Sequence, residues 1–205
     1  NTILGEEKLA RSCEKEKKRE RILKKSWELF KKNGYEETKI ERITKEVGIS
    51  KGSFYTYFKT KEDVLFSILE KVEIEIENSI NDIDTSEEPS KILYNLLEKR
   101  VELFLGYVQN MKLENLYIMK SGQIDEFKNK ITVFYTTFIK ENIIKKYENK
   151  KIWDLEIISK YINSSIEGYF FEEIFENKGI IDKDFEDRAK IAIKEIAKFI
   201  DSALK

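Results

Sequence analysis

A short segment of the chain carries hydrogen-bonding side chains at a spacing that suits one face of a helix. Residues 51–57 read Lys-Gly-Ser-Phe-Tyr-Thr-Tyr, and no acidic residue occurs between Val47 and Lys61. Lysine and hydroxyl side chains hydrogen-bond the edges of bases, and tyrosine hydroxyls suit phosphate oxygens. Gly52 has no side chain, so a partner can approach the backbone closely there. Because an ordinary solvated helix face carries Glu and Asp as well, this pattern favours contact with DNA.

The residues around this segment predict short helices that hold it in place. Gly48 ends a helical pattern over about 39–46, because glycine adopts positive φ at little cost. Ser50 predicts the N-cap of a helix over about 51–57, and a further helix starts at about 61. Two pairs of residues have the spacing of capping boxes at helix starts: Thr38 with Glu41, and Thr60 with Asp63. The segment therefore has the form of two short helices joined by a tight turn.

Apolar residues at helical spacing predict which faces of these helices are buried. Ile40, Ile43 and Val47 share one side of their helix, since three- and four-residue steps return to the same face. The other residues expected to face inward are Phe54, Phe58 and a stripe on the preceding helix: Ile22, Leu23, Ser26, Trp27 and Phe30. That preceding helix ends at Gly34-Tyr35. We expect a core shared by these helices that leaves the polar face of residues 51–57 exposed.

The stretch from Ile22 to Leu65 resembles the N-terminal DNA-binding domain of tetracycline-repressor-like (TetR) transcriptional regulators. The resemblance covers about a fifth of the chain and rests on these residues: Ile22-Leu23, Leu29-Phe30, Gly34-Tyr35, Thr38, Ile43, Gly48 to Tyr55, Tyr57-Phe58, Lys59 to Asp63 and Leu65. The family often has alanine at the positions of Lys25, Thr44 and Val47. These differences affect packing, and they remove no residue from the polar face. The resemblance implies a helix-turn-helix that binds DNA.

The resemblance also implies roles for individual residues of this segment. Tyr55, Tyr57 and Lys61 would hold phosphates, while Lys51, Ser53 and Thr56 would face bases. Thr38 and Lys39 would meet the DNA backbone at the start of their helix. The full set of expected DNA-binding residues is Thr38, Lys39, Ser50, Lys51, Gly52, Ser53, Tyr55, Thr56, Tyr57 and Lys61.

Charge is distributed unevenly along the chain. The whole sequence has a net charge of -1, from 38 Lys+Arg and 39 Asp+Glu. Residues 1–70 carry a net charge of +4, and residues 71–205 carry -5. This asymmetry is expected when only one end of a protein meets nucleic acid. Residues 1–18 hold several of the basic residues and either extend the first helix toward DNA or form a solvated arm.

The composition excludes most enzyme chemistry and favours an all-α fold. The chain has no histidine, a single cysteine, Cys13, and no glycine-rich phosphate loop. Metal sites and catalytic triads that use histidine are therefore excluded, so we expect no enzyme activity, cofactor or metal site. Carboxylate-only chemistry remains a formal alternative. Only 8 Gly and 1 Pro in 205 residues leave few hairpin turns, which indicates helices throughout.

The sequence predicts a cytoplasmic protein. No apolar run is long enough to cross a membrane, and the N-terminal residues lack the apolar segment of a signal peptide. Cys13 cannot form a disulfide within the chain, which fits a reducing compartment.

The remainder of the chain is predicted to form long helices. The helix from about 61 runs to about 80, and residues 81–89 form a polar linker with the only proline, Pro89. Five further helices are predicted over about 90–109, 111–120, 123–148, 154–176 and 184–204. The nine helices divide into an N-terminal arm with a helix-turn-helix domain, 1–65, and a helical ligand-binding and dimerisation domain, 66–205. The helix from about 61 connects the two.

The last two predicted helices, the eighth and ninth, are apolar on more than one stripe. One side of each can pack on the body, and the remaining apolar surface needs a partner. The resemblance implies a homodimer through these two helices. A two-fold dimer places its reading helices in successive major grooves, about 34–36 Å apart, so the operator is expected to be a near-palindrome.

Aromatic residues in the middle helices could line an apolar cavity. The resemblance implies a pocket for a small-molecule effector there, and it implies a repressor that leaves its operator when the effector binds. The candidate lining residues are Phe104, Tyr107, Met111, Tyr117, Phe134, Tyr135, Phe138 and Tyr169. Such residues at helical spacing are more often core than ligand site, and the effector is expected to be apolar or aromatic. A body that responds to a protein partner, or has no inducer, is the alternative.

Overall fold

The computed structural model describes residues 2–108, 122–147, 154–176 and 183–205. The helices in these ranges are α1 (Thr2–Asn33), α2 (Ile40–Val47), α3 (Lys51–Tyr55), α4 (Lys61–Asn81), α5 (Pro89–Val108), α6 (Gly122–Asn142), α7 (Leu155–Glu176), α8 (Lys183–Leu204) and a 3-10 helix (Ile144–Lys146). These residues contain no strand, and the predicted all-α class is confirmed. The helix predicted over 111–120 lies outside the described residues. The eighth and ninth predicted helices are α7 and α8.

The chain divides into two compact units at a point inside α4. The first unit includes the residues up to Val72, and the second unit begins at Glu73. The helix α4 is continuous across this boundary, as the sequence predicts for a connector. The basic residues before position 18 continue α1 and do not form a separate element.

The first unit has a small apolar core between α1, α2, α3 and the start of α4. The predicted inward residues Ile22, Phe30, Ile43 and Phe54 are all fully buried. Each such side chain contributes about 1.5–3 kcal/mol relative to an exposed one. Trp27 is only half-buried, at the edge of this core. The core fixes the angle between α2 and α3, which is the requirement for presenting a polar face on α3.

The start of α2 differs from its prediction. Lys39 is the N-cap residue of α2, and no side chain caps this end of the helix. Thr38 is fully buried, and its hydroxyl donates a hydrogen bond of 2.6 Å to the carbonyl oxygen of Gly34. The prediction of a capping box between Thr38 and Glu41 is therefore wrong, because the hydroxyl closes the loop between α1 and α2 instead.

The second unit is built from two pairs of packed helices. α5 packs against α8, and α6 packs against α7. The fully buried residues of these helices include Ile92, Leu93, Leu96, Leu97, Ile139 and Phe185. α5 begins at Pro89, which the sequence analysis assigned to a linker. Proline is favoured at the first helical position because its missing N–H has no partner there in any case.

The helix predicted over 123–148 ends early. α6 stops at Asn142, and a 3-10 helix follows over Ile144–Lys146. Ile143, Ile144 and Tyr147 are all buried at this break. The hydroxyl of Tyr147 donates a hydrogen bond of 2.8 Å to Asp201 of α8, which fixes the break against the last helix.

None of the helices in the described ranges is both long and apolar enough to cross a membrane.

Candidate nucleic-acid interface and effector cavity

The turn before α3 has the geometry that the sequence predicts. Gly48 adopts φ +73° and ψ 42°, in the left-handed region, and its N–H lies 2.9 Å from the carbonyl oxygen of Thr44. The N–H of Ile49 also donates to the carbonyl oxygen of Thr44, at 3.0 Å. These bonds satisfy carbonyl groups at the end of α2 and turn the chain sharply. Glycine is needed here because other residues adopt this backbone conformation only with strain.

Hydroxyl groups cap both helices that follow the turn. The Oγ atom of Ser50 accepts a hydrogen bond of 3.1 Å from the N–H of Ser53, as predicted for an N-cap. Thr60 and Asp63 form the predicted capping box. The N–H of Asp63 donates to Oγ1 of Thr60 at 3.0 Å, and the N–H of Thr60 donates to Oδ2 of Asp63 at 2.9 Å. The caps fix where α3 and α4 begin, and so fix which side chains of α3 face outward.

The outward face of α3 carries the residues that the sequence singles out. Lys51, Gly52, Tyr55 and Thr56 are exposed, while Ser53 and Tyr57 are half-buried. Between them, Phe54 is fully buried and anchors the helix. The hydroxyl of Thr56 donates to the carbonyl oxygen of Ser53, which leaves its own oxygen available as an acceptor. The result is an exposed face of one ammonium, several hydroxyls and an open glycine.

Lys51 forms an ion pair with Glu41 of α2. Its Nζ atom lies 2.5 Å from Oε1 of Glu41. This hydrogen bond lowers the pKa of Glu41 and raises the pKa of Lys51. Both side chains are more than half exposed, so the pair is a surface contact that another anion can replace.

Three other predicted residues lie at the edge of this face. Lys39 is exposed at the start of α2, whereas the side chain of Thr38 is fully buried and cannot reach DNA in this conformation. The ammonium of Lys61 donates to the carbonyl oxygens of Tyr35 at 2.6 Å and Glu36 at 3.3 Å. It also lies 4.1 Å from the centre of the Tyr35 ring. Lys61 therefore ties the start of α4 to the loop after α1.

The ring of Tyr35 is part of the same contact. Burial of the ring raises the pKa of Tyr35 to about 12, and the carboxylates of Glu62 and Glu36 contribute to this rise. Tyr35 also packs edge-on against Phe30, with 5.1 Å between ring centres. The loop between α1 and α2 is therefore closed by apolar packing as well as by Lys61.

Two exposed cations of α2 were not among the predicted site residues. Arg42 and Lys45 are both exposed, and neither forms an ion pair within the described ranges. They lie three residues apart, so they project from neighbouring positions of the same helix. This spacing of basic residues on the outward side of α2 was the signal that could have identified them.

Two arginines of α1 contact residues of the helix-turn-helix and of α4. The guanidinium of Arg21 donates to the carbonyl oxygen of Val47, the last residue of α2. Arg19 donates to the hydroxyl of Ser67 at 2.9 Å, and its guanidinium lies 5.3 Å from the centre of the Phe58 ring. These contacts link α1 to α2 and α4 within the first unit.

A cavity of about 180 Å³ lies in the second unit between α5, α7 and the start of α8. Its apolar lining consists of Val101, Phe104, Phe170, Phe171, Ile174 and Phe185. Two charged residues, Arg100 and Glu167, complete the lining. The arrangement is that of a small-molecule site, with mostly apolar walls and few polar groups.

Among the predicted ligand residues that fall in the described ranges, only Phe104 lines this cavity. Tyr107 donates its hydroxyl to Glu75, and Tyr135 is buried beside the cavity beneath Arg100. Phe134 and Phe138 are half-buried elsewhere on α6, and Tyr169 is exposed. The remaining two predicted residues, Met111 and Tyr117, lie outside the described residues.

The part of the chain that the structure describes contains no group of three or more metal-ligating side chains.

A family model described as bacterial regulatory proteins, tetR family, matches residues 22–68. The match covers α2 and α3, most of the buried stripe of α1 and the start of α4. It therefore coincides with the elements that build the exposed face of α3.

Whole-chain comparisons extend the similarity beyond this segment. The HTH-type transcriptional regulator QacR of Staphylococcus aureus is 31% identical over 146 residues, which is 69% of this chain and 69% of that protein. The uncharacterized HTH-type transcriptional regulator YerO of Bacillus subtilis is 31% identical over 157 residues, 71% of this chain and 53% of that protein. The chain thus spans about half the length of YerO and of other curated relatives that it matches.

The fold is similar to that of a transcriptional regulator from Aquifex aeolicus VF5. The two share 26% sequence identity with a TM-score of 0.63, over 89% of this chain and 99% of the other. The similarity covers both units of the chain.

Proposed function

This chain belongs to the tetR family of bacterial regulatory proteins, and from that premise we propose that it is a sequence-specific DNA-binding transcriptional regulator. The observation that carries the proposal is the face of α3. Lys51, Gly52 and Tyr55 are exposed there, on a helix held by the buried Phe54 and by the cap at Ser50. QacR and YerO are both named transcriptional regulators, which supports a regulatory and not an enzymatic role in the cytoplasm.

The exposed residues suit different parts of a DNA duplex. Lys51, Ser53 and Thr56 are suited to the hydrogen-bonding groups of bases in the major groove. Tyr55, Tyr57 and Lys39 are suited to phosphate oxygens, which fix the register of the protein on the duplex. Arg42 and Lys45 of α2 add sequence-independent attraction to the backbone. We leave Thr38 out of this set because its side chain is buried, and we assign Lys61 to holding the loop that precedes α2.

The regulator acts as a homodimer through α7 and α8 on a near-palindromic operator. Support comes from large apolar side chains left exposed on these two helices: Ile157 and Tyr161 on α7, and Ile191 and Phe199 on α8. Each of the four is 63–73% exposed, which is unusual for an apolar surface that has no partner. A two-fold dimer presents two α3 helices to successive major grooves.

Regulation operates by release of the operator when a small molecule occupies the second unit. The cavity between α5, α7 and α8 supports this part of the proposal, because it is mostly apolar and holds two charged groups. The ligand must bind the released conformation better than the DNA-bound conformation, since only differential affinity shifts the equilibrium.

The test of the proposal measures binding to the DNA immediately upstream of the gene. Fluorescence anisotropy compares that duplex with a scrambled duplex of the same composition. We expect the upstream duplex to bind at least about 10³-fold more tightly at physiological salt. Tyr55→Phe removes one phosphate contact, so it weakens both duplexes by a similar factor of about two to five.

The matched control is Tyr94→Phe, which removes the hydroxyl of a half-buried tyrosine on α5 whose hydrogen-bond partner, Glu98, lies on the same helix. It should leave both affinities unchanged within twofold. Equal affinity of the wild-type chain for the upstream and scrambled duplexes would refute sequence-specific binding at that site. Equal behaviour of the two tyrosine variants would refute the role given to Tyr55.

A further inference from the structure

The cavity of the second unit has an apolar wall and one charged end. Phenylalanine rings from three helices form much of the wall: Phe104 on α5, Phe170 and Phe171 on α7, and Phe185 on α8. Arg100 and Glu167 form the charged end. A ligand that fills the cavity must therefore either balance the charges of Arg100 and Glu167 or leave the pair between them intact.

Arg100 is held by protein groups other than Glu167. Its side chain is only 14% exposed. Its Nη1 donates a hydrogen bond of 2.8 Å to Oδ1 of Asn163, which is fully buried. The guanidinium lies 4.1 Å from the centre of the buried Tyr135 ring, in the geometry of a cation–π contact. The guanidinium is thus oriented by these two groups before any ligand binds.

Glu167 is the more exposed partner of the pair. Its Oε1 accepts a hydrogen bond of 2.6 Å from Nη2 of Arg100 and a longer one of 3.3 Å from Asn163. Its side chain is 46% exposed, so rotation into water leaves no buried unpaired charge. The Nη2 group of Arg100 is therefore the position at which an incoming anion can replace a protein carboxylate.

We propose that this cavity binds a small organic monoanion, whose carboxylate takes the place of Glu167 on Arg100 and whose apolar body contacts the phenylalanine wall. The proposal rests on the proposed function, and it names the class of its effector. The carboxylate keeps the charge on Arg100 balanced, while Glu167 moves into solvent. Arginine suits this exchange because its planar fork matches a carboxylate with two parallel hydrogen bonds.

The charge arrangement discriminates against other ligand classes. A cation that bound Glu167 in place of Arg100 would leave a largely buried guanidinium without its counter-charge, which is strongly destabilising. A neutral ligand of the same shape would gain the apolar contacts only and would leave the Arg100–Glu167 pair as it is. The order of affinity is therefore anion first, neutral second and cation last.

The size of the cavity limits the apolar body of the ligand. An apolar cavity of about 150 Å³ accommodates benzene in another protein. The cavity here, of about 180 Å³, thus accommodates one ring or a short alkyl chain together with a carboxylate. Phenylacetate is a probe of this size and charge.

The experiment is isothermal calorimetry on the full chain with three probes of one shape: phenylacetate, 2-phenylacetamide and phenethylamine. We expect phenylacetate to bind about tenfold more tightly than the amide, since the carboxylate gains a charge-assisted contact with Arg100 and the amide gains the apolar contacts only. Phenethylamine should bind most weakly. Equal affinities, tighter binding of phenethylamine, or no binding of any probe at millimolar concentration would each overturn the inference.

Variants of the two charged residues sharpen the assignment. Glu167→Gln removes the competing charge, so it should strengthen phenylacetate binding by about three- to tenfold and leave the amide unchanged. Arg100→Met should abolish the preference for phenylacetate over the amide. Glu172→Gln makes the same change of charge at an exposed position of α7 outside the cavity lining, and it should change nothing. If Glu167→Gln left the affinity for phenylacetate unchanged, that result would contradict the exchange on Arg100. This test does not depend on whether the Arg100→Met variant folds.

Calorimetry on the free protein separates this inference from the proposed function. Operator binding in the absence of any probe, measured on the same samples, reports on DNA recognition and does not depend on a ligand in the cavity. A chain that binds its operator but shows no preference for the anion refutes the inference alone. A chain that prefers the anion but has no operator refutes the proposed function alone.

Discussion

The ammonium of Lys51 is paired within the protein before any DNA is bound. Its partner, Glu41, lies on α2 and is 62% exposed. The pair contributes little to folding, because both groups are well solvated. With the role proposed for Lys51, we expect the pair to lower the affinity for DNA nevertheless, since Lys51 must leave the carboxylate to reach a base and the carboxylate repels nearby phosphates. Glu41 is therefore expected to tune binding without touching a base.

Replacing Glu41 by glutamine is expected to strengthen non-specific DNA binding. Glu41→Gln frees the Lys51 ammonium, so affinity for a scrambled duplex should rise about three- to tenfold at low salt. The slope of log affinity against log salt should steepen by about one unit, because one more cation neutralises a phosphate. Anisotropy titrations of the scrambled duplex at several salt concentrations measure both quantities.

The matched control for this prediction is Glu46→Gln, on the same helix. Glu46 is exposed and forms no ion pair within the described ranges. Its substitution makes the same change in net charge, and it should raise the affinity by less than twofold. If the two variants gained affinity equally, the pair with Lys51 would have no part in the effect.

Contacts over short sequence distances could be predicted at the residue scale, and contacts over longer distances could not. The caps at Ser50 and at Thr60 join groups three residues apart, so their spacing is visible in the sequence. Lys61 reaches a carbonyl oxygen 26 residues earlier, and no local pattern reports that distance. Thr38 has the right type for an N-cap, but its hydroxyl reaches back to Gly34 because the loop is compact.

The turn between α2 and α3 depends on the glycine at position 48. Gly48→Ala places a side chain at φ +73°, and the new Cβ would lie 3.4 Å from the guanidinium of Arg21. We expect the free energy of unfolding of the first unit to fall by about 1–2 kcal/mol, from the cost of the left-handed conformation. Chemical denaturation followed by tryptophan fluorescence of Trp27 measures this loss.

A second glycine, Gly52 of α3, has a different role. Gly52 lies on the exposed face of α3, and an added Cβ would lie 3.9 Å from Oγ of Ser50, which is an ordinary van der Waals contact. Gly52→Ala should therefore preserve or raise stability, by up to about 1 kcal/mol, because alanine favours helix. The added methyl group should nevertheless weaken operator binding severalfold, because it separates the backbone from DNA. If operator affinity fell in proportion to the loss of stability in both Gly48→Ala and Gly52→Ala, the separate roles given to the two glycines would be contradicted.

The sequence predicts where helices start more accurately than where they end. Starts depend on local caps, such as those at Ser50 and Thr60. The end of α6 at Asn142 instead depends on tertiary burial of Ile143 and Ile144, which a helical pattern cannot distinguish from continued helix. α3 likewise ends at Tyr55, two residues before its predicted end.

At the scale of the whole molecule, the exposed apolar residues of α7 and α8 form the proposed dimer surface. Phe199→Glu places a charge within this surface, so we expect a dimer to become a monomer at micromolar concentration. Sedimentation velocity measures the change. Val133→Glu, at a 64% exposed position on α6, is the matched control and should remain dimeric. A wild-type chain that sediments as a monomer would contradict the proposed interface.

The cavity was the part of the molecule that sequence could predict least. Aromatic residues at helical spacing mark buried positions, but burial in a core and exposure to a cavity leave the same pattern. Of the six predicted residues that the structure describes, only Phe104 lines the cavity, whereas Tyr135 lies beneath Arg100. Arg100 was not predicted because its partner Asn163 is 63 residues away in the chain. The helix-turn-helix could be predicted because its caps, its turn glycine and its apolar spacing all lie close together in the sequence.

The central claim is that the exposed face of α3 reads the sequence of DNA. Selection from a randomised duplex library tests it most directly, with the wild-type chain and Lys51→Met in parallel. We expect the wild type to enrich one near-palindromic motif with half-sites about one helical turn apart. Lys51→Met should enrich the same motif with preference lost at one matching position in each half. No enriched motif, or an identical motif from both proteins, would contradict the claim.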